Sequence, residues 1–396
     1  MTREVDTRER PRAVVLTAHW ETTTEEGWIT RQVAGALACV ADVHVITPDG
    51  RTPGRRIDGV FTVHRLAPPI DVAAELRRDL LVEALSCTSA RDGAIGADWS
   101  ELIDHNLIQP WQAAGAVLAD LRPDLIVIAG HHNVGALSAV EQSTWAAPVS
   151  LVALGADAHS LAFPHFDRVF DRANTVLAVT ESERSSIVEF HGRKEKVHRI
   201  GAPLAANRSA LSEPNTWVGD SNYILVITGS NSDEGHEDTD LSRLIRLRFP
   251  DNPVGVAHHD SFCAWHQGRL SQGWAVERSS DMARLMAWAR VTVDLRPGRL
   301  FARRCVDSLL YGTPIVVPYD SRAREHAQRG GGGLWFDGAA ELTWCIEALL
   351  DPTIRNAFSD QGRSYAEDEY GSTDRFIDRV TIACGLATEP QPQATA

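Results

Sequence analysis

Short apolar runs alternate along this chain with longer segments in which apolar residues recur at helical spacing. The first run, Ala13–Thr17, is followed by a polar stretch and then by Trp28–Val40, which has the period of a helix. A second run, Val43–Thr47, ends at a Pro-Asp-Gly turn sequence. Asp124–Ala129 is a continuous apolar run of the kind that a parallel sheet buries on both faces. The pattern therefore predicts an α/β fold with a doubly wound parallel sheet.

The pattern stops and then restarts near the middle of the chain. Ala202–Asn222 is rich in Pro, Ser, Asn and Ala and lacks periodicity, which is typical of a linker. A new α/β alternation begins with the predicted strand Tyr223–Thr228. We therefore predict a first domain at 1–205, a linker at 206–222, a second domain at 223–372 and a disordered tail at 388–396. A ligand cleft is expected between two such halves.

The remaining predicted elements fill both halves. The first half has a mostly helical region at 71–121 and strands at Val60–Leu66, Pro148–Leu154 and Thr175–Val179. The second half has strands at Pro253–Ala257, Val291–Leu295 and Pro314–Pro318, with helices near 241–248, 282–289, 300–310 and 340–350.

Composition and charge narrow the range of partners. The formal net charge of −14 over 396 residues opposes binding to a phosphate backbone, so nucleic acid is not an expected partner. No apolar run reaches the roughly 18 residues needed to cross a bilayer, and the charged amino terminus lacks the apolar core of a secretory signal. The six scattered cysteines include no C-x-x-C pair, which indicates a reducing compartment. We therefore expect a cytoplasmic protein without a transmembrane segment.

Nearly all the positive charge is arginine, since lysine occurs only at Lys194 and Lys196. This usage is typical of a GC-rich coding sequence and indicates a bacterial source. Any phosphate-binding side chains are accordingly expected to be arginines.

Three stretches of the second half resemble the donor-binding domain of the family 4 retaining glycosyltransferases. Leu309–Val317 is similar to the family's helix, Gly-x-Pro and strand segment. Gly330–Glu341 is similar to its glycine-rich loop, and Asp351–Arg355, Gly362, Arg363 and Glu369–Tyr370 match the end of that domain in order and spacing. In the first half, Glu25–Arg31 resembles the family's first glycine-rich turn, and Pro123–His132 resembles its strand that ends in a histidine.

This resemblance implies a GT-B fold, in which two Rossmann-like domains face a central cleft and a final helix, here at about 373–387, packs back onto the first domain. It further implies transfer of a sugar from a nucleotide-sugar donor to a hydroxyl acceptor, with retention and without a metal or other cofactor. The acceptor class stays open between a sugar, a lipid-linked molecule and a small molecule.

The family's diagnostic pair of glutamates is altered here. Counting back from Gly312 places the second position of the pair at Asp307, which is still an acid. The first position falls at Arg299, which has the opposite charge. By resemblance, Asp307 would hold the ribose hydroxyls of the nucleotide. Leu300 and Phe301 stand where backbone amides approach the sugar and phosphate.

The same segment has a physical case of its own. A loop feeds a helix that begins near Arg299, and a helix amino terminus offers N–H groups and partial positive charge to an anion. Arg299, Arg303 and Arg304 add cations suited to bidentate phosphate contacts. The alternative is that Arg303 and Asp307, four residues apart, form a surface ion pair contributing about 0.2–0.5 kcal/mol.

A second departure follows the strand at 223–228. The family has Gly-Arg and then Lys there to hold the diphosphate, whereas this chain has Gly229 and Ser230 and then an acidic run. Either the arginines at 299–304 replace those cations, or nucleotide-sugar turnover is impaired.

In the first half, the candidates for the other wall of the site are Gly27, His131, His132, Asp157 and His159. A histidine with a pKa near neutrality can accept the proton of an acceptor hydroxyl. The alternative is that His131, His132 and Asn133 only cap a helix at the end of a strand.

Two acidic patterns suggest a metal at first sight. Asp238 and Asp240 spell D-x-D, but Asp240 precedes a helical pattern and suits a helix N-cap. His258, His259 and Asp260 follow a strand without the three or four converging ligands that a site needs. We expect no metal.

Two other functions stay open. The charge reversal at Arg299 and the missing Arg and Lys would suit a glycosyltransferase-like protein that has lost transfer and acts as a binder or partner. A nucleotide-sugar 2-epimerase shares the double-Rossmann fold, but the family 4-like carboxyl-terminal segment argues against it.

Overall fold

The chain divides into two compact units. The computed structural model describes residues 10–18, 20, 24–48, 53–66, 108–130, 132–156, 164–204, 223–228, 240–258, 262–267, 270–275, 279–296 and 301–388. Unit 1 consists of Met1–Ala202 and Asp374–Ala396, and unit 2 consists of Pro203–Thr373. Each unit has helices packed on a sheet that is mostly parallel, which confirms the predicted α/β fold class.

Unit 1 is built on an eight-stranded sheet in the order β3-β4-β2-β1-β5-β6-β7-β8. Its strands are β1 (Arg12–Leu16), β2 (Asp42–Thr47), β3 (Gly54–Asp58), β4 (Phe61–Arg65), β5 (Leu125–Ala129), β6 (Val149–Ala153), β7 (Thr175–Ala178) and β8 (Val197–Arg199). Its helices are α1 (Glu25–Ala38), α2 (Ala114–Leu121), α3 (Val134–Gln142), α4 (Pro164–Arg172) and α5 (Glu181–His191), with 3₁₀ turns at Gln109–Trp111 and Lys194–Lys196.

The sheet of unit 1 is parallel except at one edge. β1 pairs with both β2 and β5, and all five residues of β5 are buried, as the continuous apolar run predicted. β3 pairs with β4 in an antiparallel hairpin that the sequence pattern did not predict. The reason is that Gly54–Asp58 is an exposed edge strand with two arginines and no apolar alternation, and such edges are commonly charged.

Unit 2 is built on a seven-stranded sheet in the order β12-β11-β10-β9-β13-β14-β15. Its strands are β9 (Tyr223–Thr228), β10 (Val254–His258), β11 (Phe262–Gln267), β12 (Leu270–Ala275), β13 (Ala289–Asp294), β14 (Ile315–Pro318) and β15 (Gly333–Phe336). Its helices are α6 (Asp240–Arg248), α7 (Ser279–Trp288), α8 (Arg303–Leu310), α9 (Arg324–Gly330), α10 (Ala339–Leu350) and α11 (Pro352–Tyr370).

β9 is central in unit 2 and pairs in parallel with β10 and β13. Ile224, Val226 and Val293 are fully buried in one apolar cluster of this unit. β11 and β12 form an antiparallel hairpin beyond β10, where the sequence pattern predicted no strand. Each sheet is therefore parallel except for an antiparallel hairpin at one edge.

The last helix, α12 (Thr373–Ala383), lies almost wholly in the part of the chain assigned to unit 1. Val380 is fully buried, and Cys384 directly follows the helix. Burial raises the pKa of Cys384 to about 11.

Several predicted features lie outside the described residues. They include most of the helical region at 71–121, the linker at 206–222 and the tail from 389 onward. Among the residues that the structure does describe, no helix is long and apolar enough to cross a membrane.

Candidate functional site

In unit 2, the strand β13, which precedes α8, ends at a buried carboxylate. Asp294, the last residue of β13, is 3% exposed. The guanidinium of Arg296 binds it through Nη2 to Oδ2 at 2.6 Å and through Nε to Oδ1 at 2.9 Å, which is the bidentate geometry of a strong ion pair. The Cys305 thiol donates to Oδ2 at 3.4 Å. Asp294 therefore connects the strand end to the first turn of α8.

The amino terminus of α8 combines an unusual backbone with cations. Ala302, which precedes the helix, has φ 57° and ψ 50°, a left-handed conformation that non-glycine residues rarely adopt. Among the described residues, no side chain caps this terminus and no acid lies in the first turn. Arg303 and Arg304 stand there instead, at the end of the helix where the dipole disfavours cations by about 0.3–1 kcal/mol each. A bound anion would offset this unfavourable interaction between the two arginines and the helix dipole.

Asp307 lies between both arginines. Its Oδ2 is 3.5 Å from Arg303 Nε and 3.5 Å from Arg304 Nη1. The side chains of Asp307 and Arg304 are 15% and 12% exposed, so this cluster is only partly open to solvent. The predicted i,i+4 ion pair thus exists, while the role of Asp307 toward a ribose stays a prediction.

Phe301 is held by an aromatic cluster rather than exposed. Its side chain is 2% exposed and packs against His326 and Tyr370, with ring centroids 5.4 and 5.0 Å away. Its carbonyl oxygen accepts a hydrogen bond from His326 Nε2 at 2.7 Å. The Phe301 side chain is therefore closed to a ligand, and an approach of its backbone amide to the sugar and phosphate stays a prediction.

The protonation of this cluster follows from its hydrogen bonds. Burial lowers the pKa of the fully buried His326, so the ring is neutral. Since Nε2 carries the proton shared with the Phe301 carbonyl, Nδ1 is an acceptor, and the hydroxyl of Tyr365 donates to it at 3.1 Å. Burial also raises the pKa of Tyr365 to about 12, which keeps that donor protonated.

In unit 1, two predicted residues follow the carboxyl ends of the adjacent strands β1 and β5. Gly27 lies in the first turn of α1, and its N–H donates to the Thr24 hydroxyl that caps the helix at 3.2 Å. His132 follows β5, and its ring lies against Gly130, whose φ is 91°. A Cβ atom at position 130 would lie 2.9 Å from His132 Cε1, so glycine is required both by backbone angle and by this ring.

The helix cap beside His132 is made by its neighbour. Asn133 caps α3, since its Oδ1 accepts from the Ala136 N–H at 3.2 Å. The carbonyl oxygen of His132, which is only partly buried, accepts from the N–H of Val134, the first residue of α3, at 2.9 Å. Its role in proton transfer stays a prediction.

A second buried carboxylate joins two strand ends of unit 1. Glu183, 3% exposed, accepts from the Val179 N–H at 2.6 Å and from the Ala156 N–H at 3.1 Å. These amides follow β7 and β6. Glu183 thereby fixes the chain immediately before the predicted residues Asp157 and His159.

Several predicted site residues lie outside the described residues, and their roles remain predictions: His131, Asp157, His159, Gly229, Ser230, Arg299 and Leu300. Within unit 2, the structure brings together Phe301, Arg303, Arg304 and Asp307 around the start of α8. In the described part of the chain, no group of three or more His, Cys, Asp or Glu residues is arranged to hold a metal ion.

Sequence reasoning did not select Asp294, Glu183 or His326. A signal existed for Asp294, which ends an apolar strand three residues before Pro297, and for Glu183, which stands three residues after the N-cap Thr180 in the T-x-x-E spacing of a capping box. Nothing in the local sequence marks His326, because its partners lie 25 and 39 residues away.

The chain is similar to several solved glycosyltransferase structures, although no protein-family model and no curated protein matches it. It resembles sucrose-phosphate synthase from Thermosynechococcus elongatus with a TM-score of 0.61 at 14% identity, covering 95% of this chain and 99% of that one. It resembles Anabaena Alr3699/HepE, solved with UDP-glucose, with a TM-score of 0.61 at 13% identity, covering 95% and 100%. It resembles a UDP-forming trehalose-phosphate synthase from Burkholderia xenovorans with a TM-score of 0.62 at 13% identity, covering 94% and 99%.

These likenesses span nearly the whole chain and establish the GT-B fold. Membership of family 4 and the role of its paired-glutamate motif remain predictions.

Proposed function

We propose that this protein is a glycosyltransferase that moves a sugar from a nucleotide-sugar donor to a hydroxyl acceptor, with retention and without a metal ion. The observation that carries the proposal is the amino terminus of α8, where Arg303 and Arg304 share Asp307 and where the Cys305 thiol contacts Asp294 at the end of β13. In open α/β sheets, ligands bind at the carboxyl ends of the strands, and a helix amino terminus there favours a phosphate.

Sugar transfer requires that the negative charge on the leaving diphosphate be stabilised. When the bond between the sugar C1 and the diphosphate breaks, negative charge develops on the leaving oxygen, and the acceptor oxygen bonds to C1. Arg303 and Arg304 would neutralise that charge in place of a metal, because guanidinium groups bind phosphate oxygens in pairs. Asp307 would then exchange part of its contact with the arginines for the ribose hydroxyls.

The first unit would supply the acceptor side. His132, Asp157 and His159 are the candidates to orient the acceptor hydroxyl and take its proton, and Gly27 would let the chain approach the donor closely. A UDP-glucose complex is known for the similar Anabaena protein, so UDP sugars are the first donors to try.

The test is a donor panel with product analysis. Purified protein is incubated with UDP, GDP, ADP and dTDP sugars and a mixture of hydroxyl acceptors, and the release of nucleoside diphosphate is measured with and without EDTA. Turnover that EDTA does not slow, with a product of the donor's anomeric configuration by NMR, is the expected result.

Three other results would count against parts of the proposal. Loss of turnover in EDTA would contradict metal independence, and an inverted product would contradict retention. Nucleoside diphosphate affinity without hydrolysis or transfer across the panel would point to a binding protein instead.

A further inference from the structure

The carboxyl-terminal helix α12 and the edge strand β8 line a cavity of about 730 Å³ in unit 1. This volume is within the range of small-molecule sites, about 300–1,000 Å³. β8 is three strands away from β5, which carries His132 at its end, so about 14 Å of sheet separates the two places. The cavity is therefore distinct from the position of His132.

The lining of the cavity is rich in cations. Four positively charged side chains face one carboxylate, that of Glu195. These cations are Arg184, Lys194, Arg199 and Arg379. The chain as a whole carries a net charge of −14, so this local excess is opposite to the protein's overall field.

Glu181, beside the cavity, pairs with two of these cations. Arg184 Nη1 lies 2.8 Å from Glu181 Oε1, and Arg199 Nε lies 3.8 Å from Glu181 Oε2. One carboxylate thus serves two guanidinium groups, which are 24% and 15% exposed. Lys194 and Arg379 add charge from two other elements, the 3₁₀ turn at Lys194–Lys196 and α12.

One wall of the cavity is apolar. Val197 on β8 and Ile382 and Ala383 on α12 contribute to the lining. A ligand that is complementary to this lining has an anionic group for the cationic side chains and a compact uncharged part for the apolar wall.

We propose that this cavity is an accessory binding site for a phosphate group, separate from the nucleotide-sugar site. Guanidinium groups from α5 and β8, an ammonium group and Arg379 of α12 surround the phosphate, and the apolar wall takes the rest of the molecule. Because α12 directly follows the point where the chain passes from unit 2 to unit 1, a bound phosphate fastens that returning helix to β8.

The two lysines give the site a selective probe. Reductive methylation with ¹³C-formaldehyde keeps the charge of each lysine and labels Lys194, Lys196 and the amino terminus, the only amines in the chain. Lys194 lines the cavity, whereas the Lys196 ammonium lies 3.5 Å from the carbonyl of Ala173. Lys196 is thus an internal control two residues away, and a Lys196→Arg variant assigns the signals.

The experiment is a titration of the full chain with inorganic pyrophosphate. The Lys194 signal is expected to shift with saturation, while the Lys196 signal shifts far less. Arg379→Gln and Lys194→Gln are each expected to weaken pyrophosphate affinity about tenfold or more by calorimetry, as loss of one charged hydrogen bond implies. Arg193→Gln, whose guanidinium pairs with Asp171 at 3.0 Å outside the cavity lining, is the matched control and should keep the affinity.

A second arm distinguishes the source of the phosphate. The protein is sedimented with phosphatidylcholine vesicles that contain phosphatidylglycerol, with and without pyrophosphate. Vesicle binding that needs Lys194 and Arg379 and that pyrophosphate displaces identifies a lipid headgroup, and pyrophosphate binding without vesicle binding identifies a free phosphate compound. Equal, unsaturable shifts of both lysines, or unchanged affinity in both Gln variants, would overturn the proposal.

Discussion

His326 donates a hydrogen bond from Nε2 to the carbonyl oxygen of Phe301 across 2.7 Å, and this bond ties α9 to the residue just before the left-handed turn into α8. Both partners are buried, at 0% and 2% exposed. The left-handed turn that leads into α8 therefore depends on α9, although no residue of α9 is proposed to contact the diphosphate.

We expect His326→Phe to lower the free energy of unfolding of unit 2 by about 1–3 kcal/mol, since the carbonyl of Phe301 and the hydroxyl of Tyr365 would lose their buried partner. It should also weaken nucleoside diphosphate binding. Urea denaturation and calorimetry measure the two effects. Tyr365→Phe is the control, because it removes one hydroxyl and leaves the bond to Phe301 intact; equal stability of His326→Phe and the unaltered protein would contradict the expectation.

Asp307→Ala should reduce nucleotide affinity roughly ten- to hundredfold if this carboxylate binds the ribose, as loss of a charged hydrogen bond implies. The fold should survive, since the pairs with Arg303 and Arg304 are partly solvent-screened. Asp307→Asn separates hydrogen bonding from charge. An unchanged affinity in the Ala variant would mean that Asp307 serves only the helix surface.

Arg299→Glu should lower the affinity for a nucleoside diphosphate much more than the affinity for the uncharged nucleoside, because it removes a proposed phosphate contact while restoring the acid that resemblance to family 4 implies. Paired calorimetric titrations with UDP and uridine give the ratio. If diphosphate binding were preserved, or transfer activity were gained, arginine at this position would be a substitution that impairs catalysis. A non-catalytic role for the protein would then be the better account.

Gly130→Ala should destabilise unit 1 by about 1–3 kcal/mol, because φ is 91° there and the added Cβ would meet the His132 ring. Gly35→Ala is the matched control within the same unit. Position 35 lies inside α1 with open space around it, so alanine should stabilise the helix by about 0.5–1 kcal/mol. Thermal unfolding of both variants gives the comparison, and a neutral Gly130→Ala would contradict the described geometry.

The stability of unit 1 should fall as pH drops from about 6.5 toward 4. Burial, and then the neighbouring His44, lower the pKa of His64 from 6.5 to about 4, and burial lowers that of His44 as well. In this window the unfolded chain binds protons that the folded chain does not, so the free energy of unfolding rises with pH. The His44 Nδ1 and His64 Nε2 atoms are 3.0 Å apart on the adjacent strands β2 and β4.

Amide hydrogen exchange of β2 and β4 at several pH values measures that dependence. His64→Asn should flatten the slope in the window, and residual slope is expected from His191 of the same unit, whose pKa burial also lowers. The same slope in the variant and the unaltered protein would contradict the role of the pair.

The sequence predicted the parallel core of each sheet well, because strands such as Leu125–Ala129 and Tyr223–Thr228 are continuous apolar runs that only a buried position explains. It missed the hairpins at β3 and at β11 and β12. Edge strands have one open side, so burial imposes no apolar pattern on them, and Gly54–Asp58 is accordingly exposed and charged.

In the candidate site too, some contacts could be predicted from the sequence and others could not. Arg303, Arg304 and Asp307 could be predicted because the contacts among them are three or four residues apart on one helix. His326 could not, since its hydrogen bond to Phe301 exists only after α9 packs against the start of α8, and such pairing is set by tertiary packing rather than by local sequence.

Glu183 has a consequence for how this protein can diversify. Its two carboxylate oxygens accept from the Ala156 N–H, three residues after β6, and from the Val179 N–H, directly after β7, so one side chain joins the two segments. Both donors are backbone amides that precede or follow 157–163, so substitutions within that segment do not remove either donor. If Asp157 and His159 bind the acceptor as proposed, libraries that aim to change the acceptor should vary these two positions and keep Glu183 constant.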